Sequence, residues 1–400
     1  MSSAQPVTVV GIGAGGWPGL SATAQGALAA AEVVLGGSRQ LALLPADVPA
    51  RRVPWPSPLL PALPGLLEAE RGHRVCVLAS GDPMFHGIGT TLARVLGPSA
   101  ITVIPHPSSV SLAAARLGWD LATTDVVSLV TAEVETLNRV INPGRRILVL
   151  SAGAHTPAGV AALLTARGHG SATVTVLEQL GGDERVLAGA ADSWAFPAGD
   201  PLNVVAIECG DGPTLPVTSG LPDSWYETDG QLTKREVRAV TLAALAPAPG
   251  ELLWDVGAGS GSIGIEWMRG HPSCRAIAIE SSAERIATIT ANAAALGVPA
   301  LRVAHGRAPE ALDGLPQPDT IFIGGGLTRD GVLDRCLTAL RPGGRLVANA
   351  VTVESEAVVA AAYAKHGGEL TRISVQRGSP VGGFTGWRSS MPVTIWAVTR

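Results

Sequence analysis

Apolar positions along this chain gather into short continuous runs set off by glycines or polar stretches. VTVVGIGAGG (7–16) is a β-branched run that stops at glycines, and SATAQGALAAAEVVLGG, beginning at Ser21, reads as a helix feeding a strand. HRVCVLASGD (73–82), AITVIPHPSS (100–109), RRILVLSAG (145–153), ATVTVLEQLGG (172–182) and LNVVAIECG (202–210) have the length and composition of further buried strands. Their apolarity is continuous rather than alternating, which predicts a parallel sheet covered on both faces.

The pattern then breaks. Residues 210–223, GDGPTLPVTSGLPD, carry three Gly and three Pro with neither helical nor strand period, as a linker does. Beyond it the alternation restarts, with a helix over 234–246, a strand and glycine loop over 251–261, and a helix at SIGIEWMRG. A strand follows at 275–282, a helix at 283–297, and strands at 318–326 and 344–352. ELTRISVQRG (369–378) and VTIWAVT (393–399) are predicted to form an antiparallel pair at the sheet edge. The expected division is 1–210, a linker at 211–222, and 223–400: two different α/β units in tandem, the second Rossmann-like.

Composition narrows the class. Hydrophobic residues are 46% and charged residues 16%, enough to build large cores and too few charges for disorder. The net charge of −4 offers no electrostatic grip on nucleic acid or an anionic membrane. Apolar stretches are interrupted well short of the roughly 18 residues of a spanning helix. MSSAQPVTVVGIG lacks a basic leader region, so the expectation is a cytoplasmic protein. Cys76, Cys209, Cys274 and Cys336 lie far apart, with no C-x-x-C pair; neither disulfides nor a metal site are expected.

Chemistry concentrates at two glycine loops. In the second half, Asp255-Val-Gly257-Ala258-Gly259-Ser260-Gly261 sits between a strand and a helix, where backbone N–H groups and the helix N-terminus face a ligand. The sixth position from Gly257 is Ser262, so this is not the dinucleotide G-x-G-x-x-G. Glu280 ends the next strand, where an acid can accept both ribose hydroxyls. In the first half Gly11, Gly13 and Gly16 do fit G-x-G-x-x-G, but Glu32 begins a strand rather than ending one, which argues against a dinucleotide.

The second half resembles the class I S-adenosylmethionine-dependent methyltransferases, and through DGQLTKREVRAV (229–240), HGRAPEAL (305–312) and FIGGGL (322–327) the CbiT domain, a precorrin methylase. That resemblance implies cofactor contacts from Thr233, Gly257, Ala258, Gly259, Ser260 and Gly261, ribose binding by Glu280, and Ala308 against the adenine. Arg307 departs from the pattern, standing where such enzymes often carry an acid. The strand ending in Gly324-Gly-Gly-Leu327 lacks the N-P-P-Y of nucleic-acid amino-methyltransferases. In the first half VVGIGAGG, EVVLGGSRQL, VCVLASGDPMFHGIG, VIPHPSSVSLAAARLG and VLEQLGGDERV resemble, in order, the class III tetrapyrrole methylases of the CbiE branch, built of two α/β subdomains. This implies cofactor contacts at Gly81, Asp82 and Phe85, with Gly11 and Gly13 facing substrate.

The fused pair resembles the CobL-type decarboxylating precorrin-6B methyltransferases. That likeness implies two S-adenosylmethionine sites per chain, a tetrapyrrole substrate, and a homo-oligomer. The implied reaction methylates meso carbon 5 through the first half, and carbon 15 with loss of the ring C acetate carboxyl through the second, giving precorrin-8. A polycarboxylate substrate calls for cations, for which Lys234, Arg238 and Arg388 are candidates; His305 and Lys234 are candidate proton carriers. The rival reading is a single-activity methyltransferase on another substrate with a non-catalytic first half. It predicts one cofactor site per chain instead of two.

Overall fold

Every apolar run predicted in the first half becomes a strand. The computed structural model describes residues 6–400. The chain divides into two compact units, one holding everything up to Val134 with Val140–Thr214, the other Glu135–Arg139 with Leu215–Arg400.

In the first unit β1 (Val7–Ile12), β2 (Val33–Gly36), β3 (Arg51–Pro54), β4 (Val75–Ser80) and β5 (Ile101–Ile104) form one sheet in the order β3-β2-β4-β1-β5, parallel throughout. Val9, Val10, Val34, Leu35 and Val77 are fully buried at its centre, as expected for strands covered on both sides. A second sheet holds β6 (Asp125–Ser128), β7 (Arg146–Leu150), β8 (Thr173–Glu178), β9 (Arg185–Ala190) and β10 (Asn203–Glu208), ordered β6-β7-β10-β8-β9. Here the expectation of a parallel sheet fails. β10 runs antiparallel to both β7 and β8. Continuous apolarity reports burial of both faces, which a central strand has whichever way it runs. The helix Ser109–Leu117 enters this second sheet's core; Ser108 Oγ accepts the Ser111 N–H at its start, and Gly118 in the left-handed conformation ends it.

The second unit carries β11 (Leu252–Val256), β12 (Arg275–Glu280), β13 (Arg302–His305), β14 (Thr320–Ile323), β15 (Arg345–Ala350), β16 (Glu369–Ile373), β17 (Gln376–Val381), β18 (Phe384–Ser389) and β19 (Val393–Thr399). Seven make one sheet in the order β13-β12-β11-β14-β15-β19-β16, the first five parallel, with β19 antiparallel to its neighbours β15 and β16. The predicted pairing of 369–378 with 393–399 is present over 369–373, as β16 against β19, whereas 376–378 belong to β17. Between them β17 and β18 form a separate hairpin. Strand order reverses between β11 and β14, which leaves a crevice beyond their carboxyl ends.

The segment expected as linker is not free chain along its whole length. Leu215 and Leu221 are buried in the second unit's core, and the N–H groups of Gly220 and Leu221 donate to the Glu266 carboxylate. Pro and Gly punctuate the backbone there, yet the two leucines are still drawn out of water.

Candidate functional site

In the second unit, a cleft of about 600 Å³ opens at the reversal between β11 and β14. Thr233, Lys234 and Gly257 through Ser260 all line it. Gly257 has a positive φ of 71°, and a Cβ on it would lie 2.6 Å from Gly325 Cα. Only glycine lets the loops after β11 and β14 meet so closely. Gly261, φ 77°, forms the N-cap of the helix Ser262–Gly270 just behind the loop.

Two acids support this loop. Asp255 is buried, with Oδ2 accepting the Gly264 N–H at 2.9 Å and Oδ1 without a hydrogen-bond partner. Burial pushes its carboxyl up to about 7, against the Gly264 hydrogen bond and with help from the Glu280 charge. Glu280 does not line the cleft wall. Its Oε2 accepts from Gly259 N at 3.0 Å, and its Oε1 from Ser281 N and Ser282 N at 2.8 and 3.0 Å. Ala308 is likewise buried, grouped with Leu312 and Val332 in the core.

Three expected residues are placed elsewhere. Arg238 is completely buried: Nε pairs with Glu266 at 2.6 Å, Nη1 donates to Thr233 O at 2.5 Å and lies 3.3 Å from Asp223, and Nη2 donates to Leu221 O. It stacks over Tyr226, whose hydroxyl donates to Glu266. With no exposed surface it cannot reach a substrate in the cleft, and its bonds hold the Thr233 segment from beneath. Arg388 is exposed on β18 outside the cleft; the hairpin guanidinium that does line it belongs to Arg377, opposite Arg388 in register. His305 is exposed at the end of the edge strand β13 and contributes nothing to the cleft wall.

In the first unit a smaller crevice, about 90 Å³, brings Gly13 and Gly81 together with Arg39, Ser80 and Asn203. Gly11 lies beside it: a Cβ there would drive into Gly81 O and sit 2.8 Å from His106 N. Asp82 and Phe85 are outside the lining. Asp82 Oδ1 accepts the Met84 N–H, shaping the turn, and Phe85 is partly exposed, edge-on to His86. Two features went unassigned in the sequence. Arg39 and Gln40 both donate to Ser80 Oγ at the crevice, and His106 packs where a Gly13 side chain would be. The glycines were the signal for His106, since a residue without Cβ implies a neighbour in that space.

Among the described residues no helix is long and apolar enough to cross a membrane, and no cluster of His, Cys, Asp or Glu is placed to hold a metal ion. The tetrapyrrole (corrin/porphyrin) methylases match residues 6–194, and a precorrin methyltransferase domain matches 224–400. A precorrin-6Y C(5,15)-methyltransferase [decarboxylating] of Mycobacterium tuberculosis is 49% identical over 98% of this chain and 100% of its own. The chain belongs to the decarboxylating precorrin-6Y C(5,15)-methyltransferase family. Two further relatives are about half as long. A probable cobalt-precorrin-6B C(15)-methyltransferase (decarboxylating) of Pyrobaculum calidifontis is 36% identical, over 44% of this chain and 94% of its own. A cobalt-precorrin-7 C(5)-methyltransferase of Salmonella typhimurium is 31% identical, over 44% and 85%.

Proposed function

We propose that this chain methylates precorrin-6B (the precorrin-6Y of its relatives' names) at meso carbons 5 and 15 and removes the ring C acetate carboxyl, giving precorrin-8. The first unit acts at carbon 5; the second acts at carbon 15 and decarboxylates. The two half-length relatives support this division, since one bears the carbon 15 and decarboxylating name and the other the carbon 5 name. Each unit takes its own methyl donor, and the chain works in the cytoplasm as a homo-oligomer.

The observation that carries the reading is the glycine cradle at Gly257 and Gly325 opening into the large cleft. Gly257 to Ser260 would hold the amino-acid end of S-adenosylmethionine, with Thr233 closing over it. Glu280, at the tip of β12, would take the ribose. When bound, S-adenosylmethionine supplies a methyl group already activated by its sulfonium. The residues therefore have little bond chemistry to perform. They must hold donor and meso carbon in line and keep water out, and positioning of that kind is worth roughly 7–11 kcal/mol. Decarboxylation needs an electron sink, and a protonated or imine-like ring nitrogen of the macrocycle provides it. Lys234, one of the two lysines in the chain, faces the cleft as a cation for a substrate carboxylate.

Mass spectrometry of the product from precorrin-6B and S-adenosylmethionine tests this. A gain of two methyl groups with loss of one carbon dioxide is expected. One methyl without decarboxylation would overturn the role given to the second unit, and an unchanged substrate would overturn the reaction.

A further inference from the structure

Where β16 and β19 pass into the hairpin, the second cleft is lined by Val375, Arg377 and Met391. Arg377 Nη2 reaches across to Glu236 Oε2 in the first turn of the helix Arg235–Leu245, and both residues line the cleft. The pair thus ties the helix to the hairpin at the cleft. Both side chains remain close to half exposed, 45% and 43%. Ion pairs in such surroundings are screened by solvent and contribute little, so this one opens readily. The same cleft is also lined by the apolar Val237, Phe322 and Val393. Such a mixed lining suits a macrocycle, with apolar residues against its face and cations for its carboxylates.

We infer that Glu236 occupies the place of a substrate carboxylate. Arg377 is the specificity-determining guanidinium for one rim carboxylate of the tetrapyrrole, and Glu236 covers it until exchange on binding. The inference rests on the tetrapyrrole reading of the same cleft. A planar guanidinium can take a carboxylate through two parallel hydrogen bonds, which a lone ammonium cannot match. The chemistry also selects the carboxylate. Pairing with Arg377 stabilises the anion more than a transition state in which that charge is leaving, so Arg377 must hold a carboxylate that survives the reaction.

The test titrates precorrin-6B anaerobically into the full chain and follows the visible spectrum, with S-adenosylmethionine affinity measured in parallel by calorimetry. Arg377→Met should weaken tetrapyrrole binding about tenfold or more, as expected for a lost charged hydrogen bond, and leave S-adenosylmethionine affinity within about twofold. Glu236→Gln should tighten tetrapyrrole binding about threefold, because the internal competitor is gone. The double variant should behave like Arg377→Met alone. A gain in affinity cannot come from misfolding, so Glu236→Gln keeps the test sound even where Arg377→Met is unstable. Loss of affinity in Glu236→Gln, or unchanged affinity in Arg377→Met, would overturn the exchange while leaving the tetrapyrrole reading intact. Failure of the unaltered chain to bind the tetrapyrrole would overturn both.

Discussion

Gly259 and Glu280 are joined across the tip of β12: the glycine N–H donates to Glu280 Oε2 at 3.0 Å, while Ser281 and Ser282 occupy Oε1. The acid proposed to take the ribose therefore also ties down the glycine loop. Glu280→Gln keeps the shape but turns an NH₂ toward one of these backbone donors. S-adenosylmethionine affinity should fall roughly 10- to 100-fold by calorimetry, the range for a charge-assisted hydrogen bond. A change under twofold would mean that the acid serves neither loop nor ligand.

Asp255 predicts a pH dependence of stability. Its carboxyl titrates at about 7 when folded and at the ordinary 3.8 when unfolded, so between those values the folded state holds the extra proton. Stability from this group is then greatest below about pH 4, declines as pH rises toward 7, and levels off above. The size is on the order of a few kcal/mol. Asp255→Asn lacks the term, so the difference in unfolding midpoint between variant and parent should climb in the variant's favour from pH 4.5 to 7. A pH-independent difference would refute it.

Arg238 and Glu266 form a buried pair, and removing one member leaves a buried charge unmatched. Arg238→Met should destabilise by about 3–5 kcal/mol, and replacing both with apolar residues should not restore stability, because the Gly220, Leu221 and Tyr226 donors and the Leu221 and Thr233 carbonyls would lose their buried partners. Urea unfolding followed by tryptophan fluorescence reads this, because Trp254, Trp267 and Trp396 are buried in the second unit. A double variant as stable as the parent would contradict the account.

The two glycine loops should be separable. Gly257→Ala forces the β11 and β14 loops apart, and Gly11→Ala forces Gly81 away from β1. Product analysis should show only the carbon 5 methyl from Gly257→Ala, and only the carbon 15 methyl with decarboxylation from Gly11→Ala. Loss of both reactions in either variant would count against a division of labour.

Two cofactor sites of unequal strength are also expected. The first unit's crevice is about 90 Å³ against about 600 Å³, so binding there must widen it and loses affinity in doing so. Calorimetry should resolve a tighter and a weaker site, with Gly257→Ala removing the tighter. A single site per chain would favour the rival reading of a non-catalytic first half.

Much of this was legible in the chain, for a physical reason that also explains the misses. Strands predicted from apolar runs were mostly those buried on both faces. The ones overlooked, β3, β6, β9 and β13, all lie at sheet edges. RRVP, DVVS, RVLAGA and RVAH need no continuous apolar run, because an edge strand is wrapped by fewer neighbours. The hairpin of β17 and β18 likewise carries no continuous apolar run: Phe384 and Trp387 are exposed. The direction of β10 was beyond reach, since burial carries no sign. Arg238 was readable after all. It lies four and seven residues before the buried Leu242 and Leu245, on the inward stripe of its helix. Arg377 was not, because nothing in QRGSPV says which strand of a hairpin will face a cleft.

The scarcity of lysine makes this protein its own footprinting reagent. Lys234 stands in the cleft and Lys365 on the exposed side of the helix Val353–His366, and no other lysine side chain competes for an acylating label. Lys365 thus serves as an internal reference in the same chain. The ratio of label at the two positions reports occupancy of the second cleft directly, whatever the turnover of either unit.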